Sequence, residues 1–171
     1  INSGEDSQWK PKLDKCDALL KIFNSAISDY RDTMRKKVEE RASETFAKLT
    51  TEKKFDKLEI NESYGLNLII EGHQILRSAG AEQIVALSLI EALNFHGRRK
   101  GPMLMDTPSG RLDDSHRKNV MNYLPTVVTQ FAFFAHSGEL KDEDIYFDRS
   151  RVGKKYTVNR ISTFHSNLEE V

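Results

Sequence analysis

Three short stretches of the sequence carry residues that can bind a phosphate group or a metal ion. In "RSAGAEQIVALSLI" (77–90), Ser78 and Gly80 precede an apolar helical pattern. A small-residue turn at a helix start offers free N–H groups to an anion. Asp106 follows the apolar run "PMLM", where a carboxylate can order Mg²⁺ through water. His136 follows "FAFFA", where an imidazole can contact a terminal phosphate.

Each of these residues also has a plain structural explanation. Ser78 can cap the helix that follows it. Asp106 can be a turn residue ahead of Pro108, and His136 can be a hydrogen-bonded histidine at a strand end. Taken singly, the residues are explained as well or better by these roles, and only their joint order favours a site.

Helical and strand-like patterns alternate in the part of the chain that carries these residues. The quoted helix runs to about residue 95 and a second helix covers about residues 115–123, while "PMLM" and "QFAFFA" are typical of buried strands. This alternation predicts an α/β fold with a parallel sheet and flanking helices. Ligands bind such sheets where strands end and helices begin, which is where the three candidate residues fall.

Other strands are predicted on both sides of this region. The runs "FDKLEI" (55–60) and "YGLNLII" (64–70), joined by "NES", have the period of two that is typical of a β-hairpin. Near the end of the chain, "DIYFD" (144–148) and "KKYTVNRIS" (154–162) are strand-like runs around the turn "RVGK".

One long helix is predicted over residues 13–49, which contain no glycine or proline. Its apolar residues first follow the heptad spacing of a coiled coil and then the spacing of a helix packed on a globular body. They are Leu20, Phe23, Ile27, Tyr30 and Met34, then Val38, Ala42, Phe46 and Leu49. We favour a coiled-coil stub over an ordinary amphipathic helix of a bundle. Residues 1–50 then form an arm with its connecting helix, and residues 51–171 form a lobe.

The composition excludes several classes of protein. The 26 Lys and Arg residues balance the 26 Asp and Glu residues, so binding to nucleic acid must be local. The single Cys16 cannot form an internal disulfide, and no run of about 18 apolar residues predicts a membrane span. We therefore expect a soluble, cytoplasmic protein. Because the first residue is Ile1 and not methionine, we expect a processed product or a piece of a longer protein.

The motifs occur in the order of a known superfamily. "SAGAEQIVALSLI" resembles the ABC-type signature motif, "PMLMD" a Walker B strand, "SGRLDD" the D-loop and "FAFFAHS" the switch-histidine strand. The chain resembles the C-terminal lobe of an SMC-like ATPase head entered from a coiled coil. "DTPSGRLDDSHR" is similar to the DndD family, the ATPases of bacterial DNA phosphorothioation systems.

The resemblance implies an ATP site shared between two heads. In the superfamily, the signature turn contacts the γ-phosphate of ATP held by the opposing subunit. Ser78, Ala79 and Gly80 would form this contact, and Gln83 would support the turn. The implied partners are an N-terminal lobe carrying the Walker A loop, a second copy of the head in a homodimer, DNA and other proteins of the modification system.

The same resemblance assigns roles around the predicted strand ends. Asp106 would order Mg²⁺ through water, Asp113 would make the D-loop contact across the dimer, and His136 would sense the γ-phosphate. Thr107 occupies the catalytic position that a glutamate holds in the superfamily. Threonine cannot act as a carboxylate base, so Asp114 or Glu139 reaches the water, or hydrolysis is slow, or the protein is an ATP-dependent clamp.

A second departure is that no Gly-x-x-x-x-Gly-Lys-Ser/Thr loop is present. The superfamily carries that loop in its N-terminal lobe, so the resemblance implies half of a catalytic head. The alternatives are an SMC-like head for DNA repair or chromosome structure, and a non-enzymatic binding module. DNA contact would use the basic residues Arg98, Arg99, Lys100, Arg149, Arg151, Lys154 and Lys155.

Overall fold

The computed structural model describes residues 5–136, 139 and 152–171, with side chains described from Trp9 onward. Its first element is one long helix, α1 (Glu5–Leu49). The heptad-spaced residues of its first part are exposed from Leu20 to Tyr30, and Met34 is half-buried. The later apolar residues are buried in the core: Val38, Ala42, Phe46 and Leu49. The predicted change along this helix, from an apolar seam to a packed face, is therefore confirmed.

The predicted hairpin forms, and a third strand extends it. Strands β1 (Phe55–Ile60), β2 (Leu66–Ile70) and β3 (His73–Ile75) pair antiparallel in that order. The turn between β2 and β3 consists of Glu71 and Gly72, with φ of 49° and 76°. Two central residues with positive φ form the turn type that suits two-residue hairpins.

The α/β layer has the predicted order of elements. Helix α2 (Ala79–His96), strand β4 (Met103–Asp106), helix α3 (Asp114–Val127) and strand β5 (Phe131–Phe134) follow one another. Strands β4 and β5 pair in parallel, with the ends of both strands in register. The predicted parallel sheet with flanking helices is confirmed, although α3 continues four residues beyond the predicted end.

One core joins these elements. The second half of α1 packs on α2, α3 and the antiparallel sheet, with Phe46, Leu58, Ile84 and Leu124 almost completely buried. On β4, Met103 and Met105 point into this core, while Leu104 and Asp106 are on the opposite, exposed face. Packing of the two methionines in the core therefore places the Asp106 side chain on the exposed face, at the carboxyl end of β4.

The last two strands form a separate hairpin. Strand β6 (Tyr156–Ser162) pairs antiparallel with β7 (His165–Glu170), and every residue of both is exposed. The strand at 156–162 was predicted, but β7 was not, because its residues are mostly polar. The run at 144–148 lies outside the described residues. Among the residues that are described, no helix is long and apolar enough to cross a lipid bilayer.

Candidate functional site

The loop after β4 begins with a residue in an unusual backbone conformation. Thr107 has φ of 47°, a left-handed value that is rare for a β-branched residue. Its N–H donates to the Phe134 carbonyl at 2.8 Å, and its own carbonyl accepts from the Gly110 N–H at 3.3 Å. The loop therefore turns sharply at the carboxyl ends of β4 and β5. Strained residues of this kind concentrate at functional sites.

Ser78 is the N-cap of α2. Its backbone is extended, with φ of −68° and ψ of 163°, and its Oγ accepts from the Ala81 N–H at 3.2 Å. Ser78 therefore caps α2, as the structural explanation of this residue predicts. Gly80 lies in the first turn of the helix and does not precede it, which corrects the sequence prediction. Helix geometry leaves the N–H groups of Ala79 and Gly80 without acceptors in the helix.

Close packing explains the glycine at position 80. A Cβ added to Gly80 would lie 3.2 Å from the Arg111 carbonyl oxygen, so the start of α2 approaches the loop after β4 at backbone distance. Nearby, the Gln83 side-chain amide donates to the Pro108 carbonyl. These two contacts hold the predicted signature turn against the loop that follows Asp106 and Thr107.

Asp113 caps α3 and fixes a histidine that sequence reasoning did not single out. Its carboxylate accepts from the His116 backbone N–H at 2.9 Å, and the second oxygen contacts Nδ1 of the His116 ring at 2.9 Å. The other ring nitrogen, Nε2, lies 3.3 Å from the Thr51 backbone nitrogen. These backbone and ring contacts with His116 hold the pKa of the Asp113 carboxyl below its ordinary value of 3.8. In the sequence, the spacing of three residues between Asp113 and His116 at a helix start could have indicated this contact.

We expect Asp113→Ala to destabilise the protein by about 1 kcal/mol at neutral pH, because it removes a helix cap. Since the pKa is lowered in the folded state, this stabilisation is complete above pH 3.8 and is lost as the pH falls through the lower, folded-state value. Urea unfolding at neutral pH and in acid measures the difference between the two proteins. A difference that stays constant into acid would contradict this role of the carboxylate.

His136 and Glu139 hold each other after β5. The Glu139 N–H donates to the His136 carbonyl at 2.9 Å, and the His136 N–H donates to Glu139 Oε2 at 3.3 Å. Glu139 is 9% exposed, and its Oε1 is buried with no hydrogen-bond partner among the described residues. A Cβ on Gly110 would lie 3.1 Å from that oxygen. The carboxylate is therefore packed beneath the loop that begins at Thr107.

These elements border a groove of about 640 Å³. The groove is lined by Ala79, Glu82, Gln83, Ala86, Thr107, Gly110, Arg111, His136 and Glu139. Ser78, Gly80 and Asp113 instead line a neighbouring cleft of about 520 Å³, and Arg111 lines both. The candidate residues other than Asp106 thus lie on two adjoining surfaces. Asp106 lines neither of them, because it is on the free face of the parallel sheet.

A buried ion pair joins α1 to α2 and was not predicted. Arg41 Nε lies 3.0 Å from Glu91 Oε2, and Arg41 Nη2 lies 2.5 Å from Oε1. Thr45 Oγ1 donates to Oε2 at 2.7 Å, and the guanidinium lies 4.2 Å from the Phe95 ring centroid. Burial lowers the pKa of Arg41, but the hydrogen bonds and charge of Glu91 outweigh it and raise the pKa above its ordinary value.

The charged residues bear on the predicted Mg²⁺ and DNA ligands. Within the described ranges, no three His, Cys, Asp or Glu side chains form a metal-binding cluster. A lone Asp106 fits Mg²⁺, which is commonly held by one or two carboxylates together with substrate phosphates. Residues 98–100 are exposed, and Lys154 forms an ion pair with Glu170 at 2.8 Å. Residues 149 and 151 lie outside the described residues, so DNA contact stays a prediction.

Comparison with solved structures identifies the fold. A structure from work on "ATP-driven dimerization and DNA stimulated activation of SMC ATPases" aligns with a TM-score of 0.61 and 19% identity, over 84% of this chain and 88% of its own. The Smc head of Pyrococcus furiosus, with an extended coiled coil and bound to the C-terminal domain of ScpA, aligns with a TM-score of 0.67 and 18% identity. That alignment covers 97% of this chain and 43% of the other.

The Smc head of Pyrococcus yayanosii, with a coiled coil and joint, gives a TM-score of 0.67 and 19% identity, over 97% of this chain and 33% of its own. The chain therefore spans less than half the length of the two Pyrococcus heads. No protein-family model and no curated protein matches the sequence. The comparisons establish that the chain has the fold of part of an SMC head.

Proposed function

We propose that this chain is the C-terminal lobe of an SMC-like ATPase head, which binds and hydrolyses ATP with Mg²⁺ between two heads. One observation supports this most strongly. The amino end of α2 and the loops after β4 and β5 meet at adjoining surfaces within a fold shared with SMC heads. In the proposal, the cleft lined by Ser78 and Gly80 meets the opposing head. The groove lined by Thr107 and His136 belongs to the reacting end of the nucleotide.

The start of α2 is suited to an anion presented by another head. Ala79 and Gly80 have N–H groups that no acceptor within the helix can satisfy, and the helix dipole favours negative charge at this end. Ser78 and Ala79 are exposed, so a phosphate can approach. Gln83 holds this helix turn to the Pro108 carbonyl and thereby positions it.

The exposed face of the parallel sheet supports the proposal that a second lobe packs on this chain. Leu104 and Phe134 are 64% and 54% exposed, and Asp106 shares this face of β4 with Leu104. Exposed apolar residues on a sheet indicate a surface that another element covers. We propose that the N-terminal lobe covers this face and brings its phosphate-binding loop to Asp106. Bound Mg²⁺ would neutralise developing charge on the phosphate oxygens.

The biological process in which the protein acts is proposed from one short stretch of the sequence. The phrase "DTPSGRLDD" supports a role in DNA phosphorothioate modification or a linked defence system. The alternatives are an SMC-like head for DNA repair or chromosome structure, and a catalytically weak clamp. Thr107 favours the clamp, because position 107 supplies no carboxylate.

ATP turnover by the protein carrying both lobes tests the proposed function. We expect Mg²⁺-dependent release of ADP, and we expect this chain alone to bind ATP weakly because it lacks the phosphate-binding loop. ATP-driven assembly without turnover would favour the clamp. Tight ATP binding by this chain alone, measured by calorimetry, would contradict the division into two lobes.

A further inference from the structure

We propose that Glu139 is the base that activates the attacking water, in place of the carboxylate that position 107 lacks. This inference depends on the proposed ATPase function and assigns a catalytic residue to it. It is carried by the burial of Glu139, by its contacts with His136 and by its position among the carboxylates around the groove.

The first argument is the unsatisfied oxygen. Glu139 is nine-tenths buried, and its Oε1 has no hydrogen-bond partner among the described residues. Leaving a buried polar atom unpaired costs about 1–3 kcal/mol, and more for a charged group. No described donor occupies the lone pairs of Oε1, and Gly110, which covers this oxygen, lines the groove beside it. A catalytic role is one of the explanations for such an unpaired group in a native structure.

The second argument is the fixed position of the carboxylate. Two hydrogen bonds with the His136 backbone hold Glu139 against the residue proposed to sense the γ-phosphate. Gly110 covers Oε1 closely enough that a Cβ would lie 3.1 Å away. Glu139 also lines the groove together with Thr107. A general base must be within hydrogen-bond reach of the water, and such a fixed carboxylate at the end of β5 meets the need for preorganisation.

The other carboxylates are less suited to this role. Asp114 is exposed at the start of α3, lines neither groove and lies 3.7 Å from Arg117 Nη1. Asp106 is on the free face of the sheet, where we propose that it orders Mg²⁺. Glu82 lines the groove but is exposed in the first turn of α2. Of the described residues that line this groove, Glu139 is the one with a buried carboxylate.

The reaction balances with Glu139 as the proton acceptor. A water oxygen forms a bond to the γ-phosphorus, while one O–H bond of that water breaks and its proton passes to the Glu139 carboxylate. The bond between the γ-phosphorus and the bridging oxygen breaks, and ADP leaves with the electron pair. Protonated Glu139 then returns its proton to solvent or to the phosphate product.

The test is ATP turnover by the full-length protein carrying Glu139→Gln. Glutamine keeps an oxygen that can accept from the His136 N–H but cannot take a proton, so a purely structural role predicts little change. General-base catalysis contributes about 10²–10⁴-fold, and we expect kcat to fall by that factor. We expect KM and ATP-driven head dimerisation to be retained. Glu62→Gln, at an exposed position in the turn between β1 and β2, is the matched control and should leave kcat unchanged, while Asp114→Asn tests the competing carboxylate.

Glu139→Asp is a second variant that keeps the charge and retracts it by one methylene. A misplacement of about 1 Å can cost about 10²-fold, so we expect a similar loss of kcat. Melting temperatures of all variants show whether the fold is kept. Turnover of Glu139→Gln within about twofold of wild type, or a loss with Asp114→Asn alone, would overturn the assignment. Absence of turnover in the wild type would overturn the proposed function itself, and this inference with it.

Discussion

Replacing Glu91 with alanine is expected to lower the free energy of unfolding by about 3–5 kcal/mol, because it breaks a buried ion pair by removing one partner. Glu91 is 1% exposed and accepts from both Arg41 and Thr45. Without it, the Arg41 guanidinium remains in its partly buried position between α1 and Phe95, and the nearby carboxylate that is left, Glu44, is largely exposed.

Glu44→Ala is the matched control for this prediction. The Glu44 carboxylate also contacts Arg41, at 3.4 Å, but its side chain is 67% exposed. Exposed ion pairs contribute about 0–1 kcal/mol, so the control should change stability little. Urea unfolding of this chain, followed by circular dichroism, measures both variants. Equal effects of the two substitutions would show that burial of Glu91 does not determine its contribution.

Ser78→Arg is expected to abolish ATP-driven dimerisation of the assembled head while a single head still binds ATP. The arginine side chain would fill the space in front of α2 that we propose for the opposing γ-phosphate. The nucleotide-binding loop of the same head lies in the other lobe in this proposal, so calorimetry should give an unchanged affinity. The variant would then lose assembly while it keeps nucleotide binding.

The cap at position 78 requires its own control. Ser78→Ala removes the hydroxyl that accepts from Ala81 and should cost about 1 kcal/mol. If capping were the only role of Ser78, the arginine variant would lose a similar amount of stability and still dimerise. Light scattering and melting temperature on both variants distinguish the two roles.

The sequence predicted the order of the main elements because their signals are local. Apolar runs such as "PMLM" and "QFAFFA" indicate buried strands, and the glycine-free stretch before residue 50 indicates a long helix. Strand β3 was missed because its turn is Glu71–Gly72 and not the Asn-Gly or Asp-Gly pair that usually marks such turns. Strand β7 was missed because "HSNLEE" has no apolar alternation.

The contacts around the candidate site depend on residues that are distant in sequence. Glu91 lies on a mostly apolar helix and its partner Arg41 is 50 positions away, so no local pattern indicates that the carboxylate is buried. The link between His116 and Thr51 spans 65 positions. The free face of β4 could not be assigned from the sequence either, because "PMLM" is apolar on both faces. For this reason the position of Asp106 outside the groove was not foreseen.

The molar mass of the wild-type head, assembled from both lobes and measured by light scattering with and without ATP and Mg²⁺, tests the central claim most directly. The claim is that the start of α2 is an anion site filled by the nucleotide of a second head. We predict the mass of a single head without nucleotide and twice that mass with ATP and Mg²⁺. A mass that stays at one head under saturating ATP, measured on protein that binds the nucleotide, would contradict the account.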